Sequence, residues 1–240
     1  MSAGRPSGPP ERPAHTDPGP PSKRSNTMRI GILGTGTLAV GLGAAWARAG
    51  HDVLVGGRSY DKAVAAAGRI GGSARAVTPA EAVAGRDAVL LAVLWEGVPD
   101  ILRAAGADEG ALAGTPLIDP TNAVEHGAGV LRTADGRAAA EHIADRAPGA
   151  HVVKAFHLFP ADQWQAGREP VTVVMAGDDE AALRTTADLI RDAGAHPATL
   201  GPLSRARQLE EVAGFVIGLA FSGADPAAAV PHVPARDRTT

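Results

Sequence analysis

Residues 28–62 read MRIGILGTGTLAVGLGAAWARAGHDVLVGGRSYDK, and the reading of this stretch decides the fold. Residues 29–33 form a short apolar strand. A glycine turn, Gly34-Thr35-Gly36-Thr37-Leu38-Ala39, leads into a helix, and a second strand follows over 52–56. The turn has the GxGxxA form of a dinucleotide fingerprint. Gly34 permits the sharp strand-to-helix turn, Gly36 lets a pyrophosphate approach the backbone, and Ala39 lets helix and strand pack closely. The helix N-terminus then offers unpaired N–H groups and a positive dipole end to phosphates. Glycines also mark ordinary turns, but here they sit between strand and helix in a unit of about 30 residues, the context the motif requires.

The end of the second strand distinguishes the two nicotinamide nucleotides. An NAD site places Asp or Glu there for the ribose 2′-hydroxyl, whereas an NADP site supplies Arg. The strand ends Val55-Gly56-Gly57-Arg58-Ser59, with no acid before Asp61. Arg58 can form charge-assisted bonds to a 2′-phosphate. Lys62, one helical turn on, adds a second cation, and Ser59 lies between them. The expected cofactor is NADP(H).

The length of 240 residues accommodates one large domain, and 45% hydrophobic residues are ample for a core; with 3% aromatics, that core must be mostly aliphatic. A formal charge of −3 without a basic stripe argues against nucleic acid as a partner. There is no cysteine, so disulfides and thiol chemistry are excluded, in keeping with a cytoplasmic enzyme. Residues 1–27 are rich in Pro, Gly and Ser and poor in large apolar groups; they read as a disordered leader. No apolar run approaches the roughly 18 residues a membrane span needs. Residues 221–240 read as a flexible tail.

Along the chain, residues 59–69 are expected as a helix, and Thr78-Pro79-Ala80-Glu81 opens another with a capping box. Residues 87–94 (DAVLLAVL) form a continuous apolar run, as for a parallel strand buried on both faces. A helix over 95–105, a strand over 115–119, a helix over 133–146 and a strand over 151–156 follow. A strand over 171–176, a helix over 178–193, a strand over 196–200 and a last helix over 205–220 complete the pattern. The fold class is therefore α/β: a Rossmann-type doubly wound parallel sheet over 28–220 with a small C-terminal extension, its substrate-side part beginning near 151.

Ligands of such sheets bind outside the carboxyl ends of the strands. That rule gathers loops 34–39, 57–62, 94–97, 119–124 and 157–164 on one rim. Val93, at the exit of its strand, and Asn122 join the cofactor candidates, Asn122 with Thr121 being suited to a carboxamide. His157 follows a strand directly and, as an imidazole, is the best proton-donor candidate. Glu125-His126 and Glu141-His142 are adjacent pairs without the i, i+4 spacing of a helical zinc site, so no metal is expected.

From 28 to about 220, the chain resembles the F420-dependent NADP reductase family, whose members pass hydride between NADP and the deazaflavin coenzyme F420. The stretches that carry the resemblance are MRIGILGTGTLAVGLG, VGGRSYDK, LAVLWEGV, VVKAFHLFPA, VMAGDDEAA and GPLSRARQLE. It implies that Thr35, Arg58 and Lys62 clamp the 2′-phosphate and that Thr37 and Leu38 hold the pyrophosphate. It places Trp95 and the loop carrying Phe156, His157, Phe159 and Pro160 near the nicotinamide and the second substrate, and it favours a homodimer. Gly57 replaces a serine frequent in the family, and Glu211 and Ala213 stand where polar residues line the deazaflavin pocket. Two other readings keep the same nucleotide: reduction of a small carbonyl or imine intermediate with His157 as acid, and a catalytically silent NADP-sensing module.

Overall fold

The structure, a computed structural model, describes residues 27–125, 127–133 and 135–232. The leader expected over 1–27 lies outside these residues except for Thr27, as does the tail beyond 232. The elements run β1 (Arg29–Leu33), α1 (Thr37–Ala49), β2 (Asp52–Gly56), α2 (Tyr60–Ile70), β3 (Arg75–Val77), α3 (Pro79–Val83), β4 (Ala88–Leu91), α4 (Val98–Ala104), β5 (Pro116–Asp119), α5 (Ala139–Arg146), β6 (His151–Lys154), β7 (Thr172–Gly177), α6 (Glu180–Asp192), β8 (His196–Gly201) and α7 (Ala206–Phe221). The strands form one sheet in the order β3-β2-β1-β4-β5-β6-β7-β8.

The apolar strands read from sequence take the centre. β1 pairs in parallel with β2 on one side and β4 on the other, and Ile30, Ile32, Val53, Val55, Val89 and Leu90 have no exposed surface. One face of the sheet is covered by α1, α2 and α6 through Leu42, Trp46, Ala63, Ile70, Leu189 and Ile190. The other is covered by α3, α4, α5 and α7 through Val83, Ile101, Leu102, Ile143 and Leu209. Trp46 crosses to α6, where its Nε1 donates to the Leu189 carbonyl at 2.9 Å.

Six strands are mutually parallel, but β7 runs antiparallel to β6, and β8 follows β7. A parallel return needs a crossover of a dozen or more residues, usually a helix. Between β6 and β7 the chain supplies only a short 3-10 turn, Ala161–Trp164, so it reverses instead. The C-terminal part thus extends the same sheet with its last two strands inverted.

Two other expectations change. The helix expected over 133–146 begins only at Ala139, because Gly136 takes a positive φ of 82° and Asp135 turns back on the Arg137 N–H. The short edge strand β3 and the bridge between Val124 and Leu131 are absent from the sequence reading. No described helix is long and apolar enough to cross a membrane.

Candidate active site

The glycine turn has the shape its sequence implies. Gly34 sits at φ 136°, and a Cβ there would lie 2.0 Å from the Ala92 carbonyl oxygen, so only glycine fits. At Gly36 a Cβ would meet nothing within 4 Å, which leaves open space beside the backbone. Gly36 is also the N-cap of α1, and no side chain bonds the first turn of that helix. Free N–H groups facing open space at a helix start fit a pyrophosphate.

At the end of β2, the Arg58 side chain is 67% exposed and its nearest carboxylate, Asp100, is 3.7 Å away. It is therefore free to take a better anion. Lys62 is exposed on the same turn. The Ser59 oxygen caps α2 by accepting from the Lys62 N–H at 3.4 Å, which leaves its hydroxyl proton to donate. A Cβ on Gly57 would press to 2.8 Å from Thr35 Cγ2, so glycine lets the two loops meet where a serine would push them apart. Val93 faces Gly97 across the next loop, and Arg58 reaches toward the same glycine. Trp95 is half-buried and tilts against His142, with ring centroids 6.4 Å apart.

Beyond β5 and β6 lies the second half of the rim. The Asn122 side-chain amide donates to the His157 carbonyl at 2.7 Å. Thr121 Oγ1, Asn122 Oδ1 and His157 Nδ1 are buried without a protein partner. Buried polar atoms are nearly always bonded, so this seam has capacity for a polar group. Burial, reinforced by the Lys154 charge, pushes the His157 imidazole down to about 3 against the pull of the Leu209 backbone. The ring is neutral at physiological pH, and the acid role expected of His157 has no standing proton behind it.

A cleft of about 290 Å³ opens beside His157, walled by Leu158, Phe159, Val173, Val174, Leu200, Leu209 and Val212, with Thr172 and Gln208 as its polar members. Its lining is overwhelmingly apolar. Phe159 lines this cleft. Phe156 reaches it only at the floor, since its ring is 1% exposed and packs edge-on against Trp46 and Trp164, at 6.0 and 5.1 Å. Its principal place is the core. Pro160 departs from expectation too: it caps the 3-10 turn and is not part of the cleft wall. Glu211 is turned outward to Arg207, 3.0 Å away, and Ala213 is buried in the helix seat.

The geometry can be compared with known proteins. Residues 29–123 match the family described as NADP oxidoreductase, coenzyme F420-dependent. A solved structure assigned as an F420-dependent NADP-reductase from Arthrobacter sp. FB24 superposes with a TM-score of 0.67 at 27% identity, over 83% of this chain and 96% of that one. Over residues 29–123 the chain is similar to this family. The family is one of NADP-dependent oxidoreductases, and its matched segment spans β1 to the exit of β5, the nucleotide half of the rim. The chain is also similar to the metalloreductase STEAP3 of Rattus norvegicus, 30% identical over 186 residues, which are 77% of this chain. The chain spans 36% of that curated relative's length. A reductive aminase from Aspergillus terreus in complex with NADPH and ethyl-5-oxohexanoate shares the fold, with a TM-score of 0.61 at 18% identity over 82% of this chain and 64% of that one.

Proposed function

We propose that the chain binds NADPH along the β1–β2 side of the rim and transfers hydride between it and coenzyme F420 held in the adjoining cleft. The observation that carries the nucleotide assignment is Arg58: an exposed, loosely paired guanidinium at the end of β2, where an NAD site would carry an acid. Gly34, Gly36, Thr37 and Leu38 form the pyrophosphate turn, Thr35, Ser59 and Lys62 flank the 2′-phosphate, and Val93 and Trp95 border the path to the nicotinamide. Asn122 and Thr121 take the carboxamide in this reading.

The nicotinamide and the deazaflavin supply the hydride chemistry themselves. The protein's task is to hold two planar rings in a productive arrangement. An apolar cleft that borders the rim at His157 and Phe159 suits a flat ring system and excludes water. A neutral His157 positions the ring edge by hydrogen bonding. Its lack of a standing proton also weighs against the alternative of a small carbonyl or imine substrate, which would require a general acid.

Phe215, 50% exposed on α7, supports a homodimer. Replacing Phe215 by Glu should convert a dimer to a monomer in sedimentation.

An absorbance assay decides the central reading. NADPH should be oxidised when F420 is present and remain stable without it. NADPH consumption with ketones or imines but not with F420 would favour the small-substrate reading, and tight NADPH binding without turnover would favour a sensing module.

A further inference from the structure

Lys154 interrupts an apolar strand, is wholly buried, and has no part in the reaction as described so far. Its Nζ lies 3.0 Å from Asp119 Oδ2 and 2.9 Å from Glu210 Oε1, and it donates to the Thr121 carbonyl oxygen. Both carboxylates are equally buried. One cation with two anions leaves a surplus negative charge, which backbone donors disperse. Asp119 Oδ1 accepts from the Thr121 N–H at 2.7 Å. The Glu210 carboxylate accepts from the N–H groups of Ala139 and Ala140, at 2.8 and 3.2 Å, in the first turn of α5. Burial alone would depress the ammonium, but the two carboxylates outweigh it and raise its pKa, so Lys154 remains charged.

These contacts close a ring. Lys154 holds the Thr121 carbonyl, and the next residue, Asn122, holds the His157 carbonyl. The His157 imidazole faces the Leu209 backbone, and the residue after Leu209, Glu210, returns to Lys154. His157 and Leu209 wall the cleft, whereas Thr121 and Asn122 belong to the nucleotide side. A buried ion cluster is a weak source of stability, because well-packed apolar groups in its place often do as well or better. Its distinctive property is directional: each bond fixes one element against another.

We propose that Lys154 is a positioning residue, which locks the exits of β5 and β6 and the helix α7 into one ring and thereby sets the acceptor cleft against the nucleotide rim. The proposal rests on the function given above.

Two variants of the full chain test it. Lys154→Met removes the hub but strands two buried carboxylates and can prevent folding. Glu210→Gln is nearly isosteric, removes one counter-charge and keeps an oxygen for the α5 amides. For Glu210→Gln, NADPH affinity should stay within about twofold, because Arg58 is not among the partners of the ion cluster. Single-turnover hydride transfer to F420, measured well below the melting temperature, should fall roughly 10- to 100-fold, the scale set by ångström misplacement of reacting groups. The His157 ring-nitrogen resonances should shift as well. A lowered melting temperature with unchanged hydride transfer and unchanged His157 resonances would overturn the proposal. A wild-type protein inactive toward F420 would overturn the functional reading and this one with it, and that result is seen before any variant is made.

Discussion

Asn122 Nδ2 lies 2.7 Å from the carbonyl oxygen of His157, joining residues 35 positions apart across the exits of two neighbouring strands. The bond ties the nucleotide loop to the wall of the acceptor cleft. Asn122→Ala leaves a buried carbonyl unpaired, at a cost of about 1–3 kcal/mol. Urea denaturation should show that loss, and steady-state kinetics should show raised KM values for both NADPH and the acceptor.

Arg58→Ala should weaken NADPH by roughly 10- to 100-fold, equivalent to about 1.5–3 kcal/mol for a hydrogen bond to a charged group. NADH should be nearly unaffected. Because Arg58 and Asp100 are both exposed and 3.7 Å apart, their pairing adds little to stability. Titration calorimetry with the two nucleotides separates the cases, and equal losses for both would defeat the 2′-phosphate assignment.

The two glycines of the fingerprint should fail in different ways. Gly34→Ala forces a side chain to within 2.0 Å of a backbone oxygen at a φ that disfavours L residues, so the folded protein should be lost or severely destabilised. Gly36→Ala meets open space and replaces one N-cap residue by a poorer one, for about 1 kcal/mol. Its methyl would enter the pyrophosphate space, so nucleotide affinity should fall while the melting temperature changes only modestly.

His157 gives the pH dependence a definite sign. Its pKa is 6.5 without perturbation and about 3 in the fold, so between these values the unfolded chain binds a proton that the folded one does not. Its stabilising contribution is complete above about pH 6.5 and is lost on acidification through about pH 3, with a slope near 1.4 kcal/mol per pH unit. His157→Gln should remove about 1.4 kcal/mol from the stability difference between about pH 7.5 and pH 5.5, measured by chemical denaturation. An unchanged difference would mean that the imidazole titrates normally.

The nucleotide half of the fold was legible because local chemistry dictates it. A continuous apolar strand, glycines at forced conformations and the Thr78–Glu81 capping box appear in the structure as written, the latter with both reciprocal bonds at 3.3 and 2.9 Å. Several contacts that the sequence left hidden have partners distant in sequence. The first amides of α5 are taken by Glu210, from α7, and a glutamate on a helix looks like an ordinary solvated residue in one dimension. The charge of Lys154 inside VVKAF was visible, but its partners were not. The inversion of β7 had a local signal, the missing crossover helix between 156 and 171, which the alternating pattern of strands elsewhere obscured. Phe156 was legible as a rim residue by position alone. Only the two tryptophans around it show that its ring belongs to the interior.

The Glu210 contact with Ala139 spans 71 residues and makes the middle of the sheet answerable to the end of the chain. During synthesis, α5 leaves the ribosome long before its capping carboxylate exists, so this helix completes last although it is made early. A nascent chain arrested before residue 210 should therefore exchange its α5 amides rapidly while those of α1 are already protected.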